Sequence, residues 1–176
     1  MDARNLAELY ELPLLDWEPI AARLEEGLTQ APGTGGPDRH TFWLATIDPD
    51  GRPHVTGVGA FWHDGAFWVV TGATTRKGRN LARDPRCTLS VAAPGFDLVV
   101  EADAALVTDP ERVAAIAATA AEGGWPARVD DSGQAITAEF SAPSAGPPPW
   151  HVYRLEPVTA MALAVEEPGG ATRWRF

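Results

Sequence analysis

The chain has 176 residues, enough for one ordinary domain that buries about two thirds of the surface its unfolded chain exposes. Hydrophobic residues make up 45% and charged ones 22%, which excludes an intrinsically disordered chain, while 17 Gly and 16 Pro imply many turns. A formal net charge of −10 argues against a general nucleic-acid binder, because an acidic field repels phosphate backbones. The one cysteine, Cys87, cannot form an internal disulfide, and no run approaches the roughly 18 apolar residues of a membrane helix. Met1 to Arg23 lacks a basic flank followed by an apolar stretch, so no secretory signal is expected. The expectation is a cytoplasmic protein of one domain over 1–176, with a helical N-terminal extension over about 1–30 and a barrel over about 41–176.

Asp16 is placed to cap a helix from Trp17 to about Thr29, since Glu18 and Pro19 suit a first turn and Ile20, Leu24 and Leu28 recur at helical spacing. Residues Ala31 to Asp38 have the composition of a loop. From Thr41 the period changes to strands: Phe42 to Ile47, Pro53 to Trp62 and Ala66 to Thr71, separated by Asp48-Pro49-Asp50-Gly51 and His63-Asp64-Gly65. A short basic helix from about Thr75 to Arg83 ends at Asp84-Pro85. Strands at Cys87 to Ala93 and Leu98 to Val107 follow, with Ala93-Pro94-Gly95 at their turn. Asp109-Pro110-Glu111 opens an alanine-rich helix to about Glu122, stopped by Gly123-Gly124. Trp125 to Pro149 is expected as a long irregular excursion, a kind of segment that often carries function. Strands return at Trp150 to Leu155, around Thr159 to Val165, and at Thr172 to Phe176. Six to eight short, mostly antiparallel strands with peripheral short helices describe a small β-barrel of the α+β class.

The chain has no zinc spacing of Cys and His, no Walker loop and no Gly-x-Ser-x-Gly elbow. His40, His54, His63 and His151 are scattered without a ligand spacing, so no metal site is expected. Charge reverses in one place. Arg76, Lys77, Arg79, Arg83 and Arg86 share a segment with a single acid, Asp84, a +4 island in a chain whose remainder is −14. Lys77 is the only lysine, against thirteen arginines. Such an island suits an anion, and the helix start near Thr74 and Thr75 adds unpaired N–H groups and the helix dipole. The alternative is a solvated helix face whose charges pair with acids elsewhere. In the stretch Thr56-Gly57-Val58-Gly59-Ala60, both glycines fall on one strand face, beside Val55 and Phe61. His54, Thr56, Val58, Ala60 and Trp62 line the other. Bare backbone of this kind suits a flat ligand, another strand, or a tight barrel bend.

Four pieces occur in order: Phe42-Trp43-Leu44-Ala45-Thr46, then Asp48 to Val55, then Asp64 to Thr71, then Arg76 to Arg86. With a weaker echo at Trp150 to Pro157, they make the chain resemble the pyridoxamine 5'-phosphate oxidase-like superfamily of split β-barrels. The resemblance implies a homodimeric split β-barrel with FMN or the deazaflavin coenzyme F420 at the subunit interface. It lays the ring along Thr56, Gly57, Val58 and Gly59, and brings the phosphate to Thr71, Thr75, Lys77 and Asn80, with Arg79 assisting. The oxidase's substrate-recognising Arg-x-His element does not follow Tyr153-Arg154-Leu155-Glu156-Pro157, which argues against pyridoxamine phosphate oxidation itself.

The expected function is therefore flavin- or deazaflavin-dependent hydride transfer to a small planar substrate, with Trp150 and Trp174 walling the pocket. In such chemistry the protein positions the cofactor and excludes water, so no catalytic side chain is named. The alternatives are a non-catalytic carrier of a cofactor or a heme-like tetrapyrrole, and a barrel with no ligand whose basic helix pairs with acids.

Overall fold

The computed structural model describes residues 1–30 and 38–176, so all but the end of the loop expected over Ala31 to Asp38 lies outside the described residues. In chain order the elements are β1 (Asp2–Asn5), a 3-10 turn (Glu8–Tyr10), α1 (Trp17–Glu25), β2 (Phe42–Ile47), β3 (Pro53–Val58), β4 (Ala60–His63), β5 (Ala66–Thr71) and α2 (Arg76–Arg83). They continue with β6 (Arg86–Ala93), β7 (Phe96–Val107), α3 (Pro110–Glu122), β8 (Arg128–Val129), β9 (Ile136–Thr137), a 3-10 turn (Pro143–Ala145), β10 (His151–Ala164) and β11 (Ala171–Arg175). The class is α+β: nine strands form one antiparallel sheet and β8 pairs with β9 apart from it.

Strand β10 is the pivot. It pairs with β7 along its whole length, with β5 through His151 to Leu155, and with β11 through Thr159 to Leu163. The register shifts between Pro157 and Thr159, because Pro157 has no N–H to give the ladder and the strand bends where it changes partner. The two strands expected over Trp150 to Leu155 and Thr159 to Val165 are thus one bent strand. From β10 the order runs β7, β6, β2, β3 on one side and β11, β1 on the other, with β5 and β4 branching off β10.

The strand expected from Pro53 to Trp62 breaks at Gly59. Just beyond the break, the Gln30 side-chain amide donates to Ala60 O (2.7 Å) and accepts from Ala60 N (2.9 Å). Gln30 supplies what a neighbouring strand would, and among the described residues no ladder joins β3 to β4, so the sheet is not a closed ring. Helix α1 stops at Glu25 rather than near Thr29, because Gly27 turns the chain with φ +81°. Asp16 occupies the position before α1 without a side-chain capping bond. The N-terminal extension is not purely helical either. Strand β1, all polar or small, is held as an edge strand by β11, with Ala3 opposite Trp174.

The main core gathers Phe42, Leu44, Phe67, Leu89, Leu155 and Trp174. A second apolar cluster lies under α3, where Val113 and Ile116 meet Trp68 and Val152. The outer sheet face carries, in one register row, Trp43, Ser90, Val99, Met161 and Arg173. Around that row Val55, Leu163 and Val165 are exposed, as are Trp43 and Met161. A shallow cleft of about 740 Å³ opens on this side, lined by Arg39, His40, Trp43, Ala92, Asp97 and Val165 among others.

Candidate functional site

Helix α2 begins where β5 ends, and the turn between them is tied by hydroxyl groups. Thr75 Oγ1 accepts from Gly78 N at 3.0 Å, donates to Gly72 O at 2.8 Å and lies 2.8 Å from Thr71 Oγ1. Thr75 is therefore a helix cap whose hydroxyl is engaged within the turn. Gly78 permits the close approach, since a Cβ there would lie 2.4 Å from Gly72 O.

The basic island divides into two kinds of side chain. Arg76 pairs with the buried Asp48 and Arg86 with Asp84, as the bland alternative required. Asn80 is buried and donates to Asp48 and Thr46, 3.0 Å each, so it anchors α2 to β2 rather than facing outward. The Arg76 bond, aided by Asn80, holds the Asp48 carboxyl down to about 2. Among the described residues Lys77, Arg79 and Arg83 have no carboxylate partner. Arg79 donates to Thr74 O and Arg83 to Ile47 O. The +4 island is thus reduced to three cations without an acid.

Lys77 stands apart from the other two. It is only 3% exposed, and its ammonium donates to the backbone carbonyl of Ser144. Burial lowers its pKa to about 8. A buried ammonium satisfied by a carbonyl dipole alone is short of a counter-charge.

The carbonyl comes from the expected excursion, which is more ordered than its composition suggested. Trp125 packs on Trp150 at 5.7 Å, Ile136 and Ala145 are buried, and the Pro143–Ala145 turn lies over the start of α2. Gly72 N donates to Ala145 O (2.8 Å), Ser144 Oγ donates to Gly57 O, and Trp150 Nε1 donates to Gly146 O (2.8 Å). This turn brings together residues from the β3 stretch and the α2 start that were singled out separately: Gly57, Thr75 and Lys77. Ser144 itself was missed, because nothing local in a Pro- and Gly-rich run signals where its carbonyl points.

In β3 Val58 is buried and Val55 exposed, while Thr56 and Gly57 are both half-buried; Gly59, in the break after β3, is exposed. Neither Gly57 nor Gly59 is at positive φ. A Cβ at Gly57 would meet Thr41 Cγ2 at 3.4 Å, and one at Gly59 only the Gln30 Oε1 at 4.0 Å. Trp174 is not a pocket wall. It is 1% exposed, on the inward face of β11 against Trp17 at 5.3 Å. Trp150, 2% exposed, lies beneath the turn rather than on an open pocket. A second basic group went unnoticed because its members sit at opposite ends of the chain. Arg4, Arg173 and Arg175 share with Asp2 a hollow of about 210 Å³, with Arg4 directly opposite Arg173 in register.

The family model for pyridoxamine 5'-phosphate oxidase matches residues 35–161, which spans β2 to most of β10 and includes α2 and the turn above it. The chain belongs to the pyridoxamine 5'-phosphate oxidase family. No curated protein matches it. A conserved hypothetical protein from Mycobacterium tuberculosis is 22% identical, covering 85% of this chain and 84% of that one, with a TM-score of 0.59. A pyridoxamine 5'-phosphate oxidase-related, FMN binding protein from Nostoc punctiforme is 20% identical, over 74% of this chain and 78% of that one, TM-score 0.51. A heme binding protein from Mycobacterium smegmatis is 19% identical, over 86% of this chain and 55% of that one, TM-score 0.55. At these identities the likeness is one of fold. Among the described residues no helix is long and apolar enough to cross a membrane.

Proposed function

We propose that the protein is an oxidoreductase that binds FMN or the deazaflavin coenzyme between β3 and the start of α2, in a homodimeric split β-barrel. One observation carries the reading: the only lysine of the chain is buried at the first turn of α2 with no acid beside it among the described residues. An uncompensated ammonium next to a helix N-terminus suits a phosphate, which would supply the missing charge. The donor set therefore fits a phosphate-bearing cofactor in its chemistry, with Lys77 making the charged contact from the buried face of α2, while Arg79 and Arg83, four residues apart on the exposed face, would meet only an anion that extends past the helix start. Family membership and the shared fold of the FMN binding protein support a flavin-type ring. Gly59, just past β3, carries no side chain and has open space beside it, and the exposed Trp43 stands beside the half-buried Gly57. Bound there, a flavin-type ring would supply hydride transfer to a small planar substrate. The protein's part is to bind, orient and exclude water, and no side chain of the site is assigned as acid or base.

The exposed apolar side chains Trp43, Val55, Met161, Leu163 and Val165 on the outer sheet face support a second copy as the cover for that face. A carrier of heme is the second reading, favoured by the fold likeness to the heme binding protein. The absorption spectrum of the purified protein mixed with FMN, deazaflavin or hemin separates the two. A perturbed flavin or deazaflavin spectrum supports the first reading, and a Soret shift without flavin binding supports the second.

A further inference from the structure

The turn that covers Lys77 takes up two donors that a phosphate could use, Lys77 Nζ and Gly72 N, and ties itself to the β3 edge by a third bond. Its two carbonyls, Ser144 O and Ala145 O, accept from Lys77 Nζ and Gly72 N, and its one hydroxyl donates to Gly57 O. Three independent contacts thus converge on the β3 edge, the β5–α2 turn and the lysine, all from residues 144 and 145. We infer that the Pro143–Ala145 turn is a built-in occupant of the anion site, a strap that holds these donors and is displaced by the phosphate group. The inference rests on the phosphate site proposed above and adds its regulation.

One feature makes the strap displaceable, and another lets a substitution unseat it. Its hold on Lys77 is a neutral carbonyl, and a phosphate oxygen makes a charge-assisted hydrogen bond about twice as strong. Its exit also lies at Gly146, whose φ of +74° and ψ of −171° fall in a region reserved to glycine. A Cβ at Gly146 would come within 2.9 Å of Thr75 Cγ2. The seated strap therefore requires a glycine there, while a lifted strap does not. Because the ligand competes with the strap, the measured affinity is the intrinsic one scaled by the fraction of molecules in which the strap is lifted.

Gly146→Ala tests this directly, with FMN as the probe followed by its fluorescence, and with amide hydrogen exchange of the 142–147 segment as an independent readout. The variant is expected to bind FMN roughly five- to hundredfold more tightly than wild type, the range set by the strain of that backbone region. Its strap segment should exchange faster without FMN, and saturating FMN should speed exchange of the same segment in the wild type. Ser144→Ala loses only the hydroxyl bond to Gly57 O and should tighten FMN binding about two- to tenfold, which keeps the test open if Gly146→Ala does not fold. Equal FMN affinity in all three proteins, with strap exchange unmoved by FMN, overturns the strap and leaves the phosphate site standing. No binding of FMN or of the deazaflavin by any of them, although Gly146→Ala exchanges fast, overturns the phosphate site and the displacement with it.

Discussion

Replacing Lys77 by Met should make the ligand-free protein more stable. In the folded chain the ammonium is nearly inaccessible to water, and its pKa falls from 10.5 to about 8 because burial penalises the charge. Holding the charged form there at neutral pH costs on the order of 3 kcal/mol relative to the unfolded chain. Methionine has a similar length and no charge, so it removes this cost, but it also leaves Ser144 O without its donor, a loss of about 1 kcal/mol. The net gain is about 2 kcal/mol, or roughly 4 to 8 °C in Tm for a chain of this size. The sign of the pH dependence is fixed too. With the folded pKa below the unfolded one, the unfolded chain binds more protons between about pH 8 and 10.5, so wild-type stability rises with pH across that window. The variant should lack the rise. Urea denaturation of both proteins at pH 7, 9 and 10.5 checks this, with the wild type gaining on the variant as pH increases. A variant less stable than wild type at pH 7, or parallel pH profiles, would refute the idea that Lys77 is a buried charge awaiting a partner.

At acid pH the opposite sign applies to Asp48, whose folded pKa of about 2 lies below the ordinary 3.8. Its contribution is complete above about pH 4 and is lost as pH falls through 2, so urea midpoints should drop less from pH 5 to pH 2 in Asp48→Asn than in wild type. Sedimentation at micromolar concentration should find a homodimer, and Met161→Glu on the outer sheet face should shift it toward monomer. Parallel titrations should give deazaflavin binding at least as tight as FMN binding at low salt, with the advantage shrinking near 0.5 M. The reason is that Arg79 and Arg83, on the exposed face of α2, have no acidic partner among the described residues and are available to an anionic tail.

Strands β2 and β5 were readable to the residue because Asp48-Pro49-Asp50-Gly51 and His63-Asp64-Gly65 bound them, with Gly51, Asp64 and Gly65 all at positive φ. Helix α3 was readable for the same local reason, since Asp109 caps it by accepting from Arg112 N at 2.9 Å. What escaped the sequence was long-range. Strand β1 is imposed by β11, and the break at Gly59 by Gln30, neither of which leaves a trace in the neighbouring residues. Within the site, charge composition pointed to the α2 start but could not separate Arg76 and Arg86, which answer Asp48 and Asp84, from Lys77, which answers a carbonyl 67 positions away. Trp174 shows the limit of reading tryptophans as pocket walls. Its neighbours Arg173 and Arg175 face outward, so alternation alone turns it into the core.

The central claim is that Lys77 receives the phosphate of a flavin or deazaflavin. Calorimetric titration of FMN and of the deazaflavin into wild type, Lys77→Ala and the distant control Arg128→Ala tests it most directly. A charged hydrogen bond contributes roughly 1.5 to 3 kcal/mol, so Lys77→Ala should lose about tenfold to a hundredfold in affinity for whichever cofactor binds, while Arg128→Ala stays within a factor of about two. Unchanged affinity in Lys77→Ala, or no binding of either cofactor by the wild type, would contradict it.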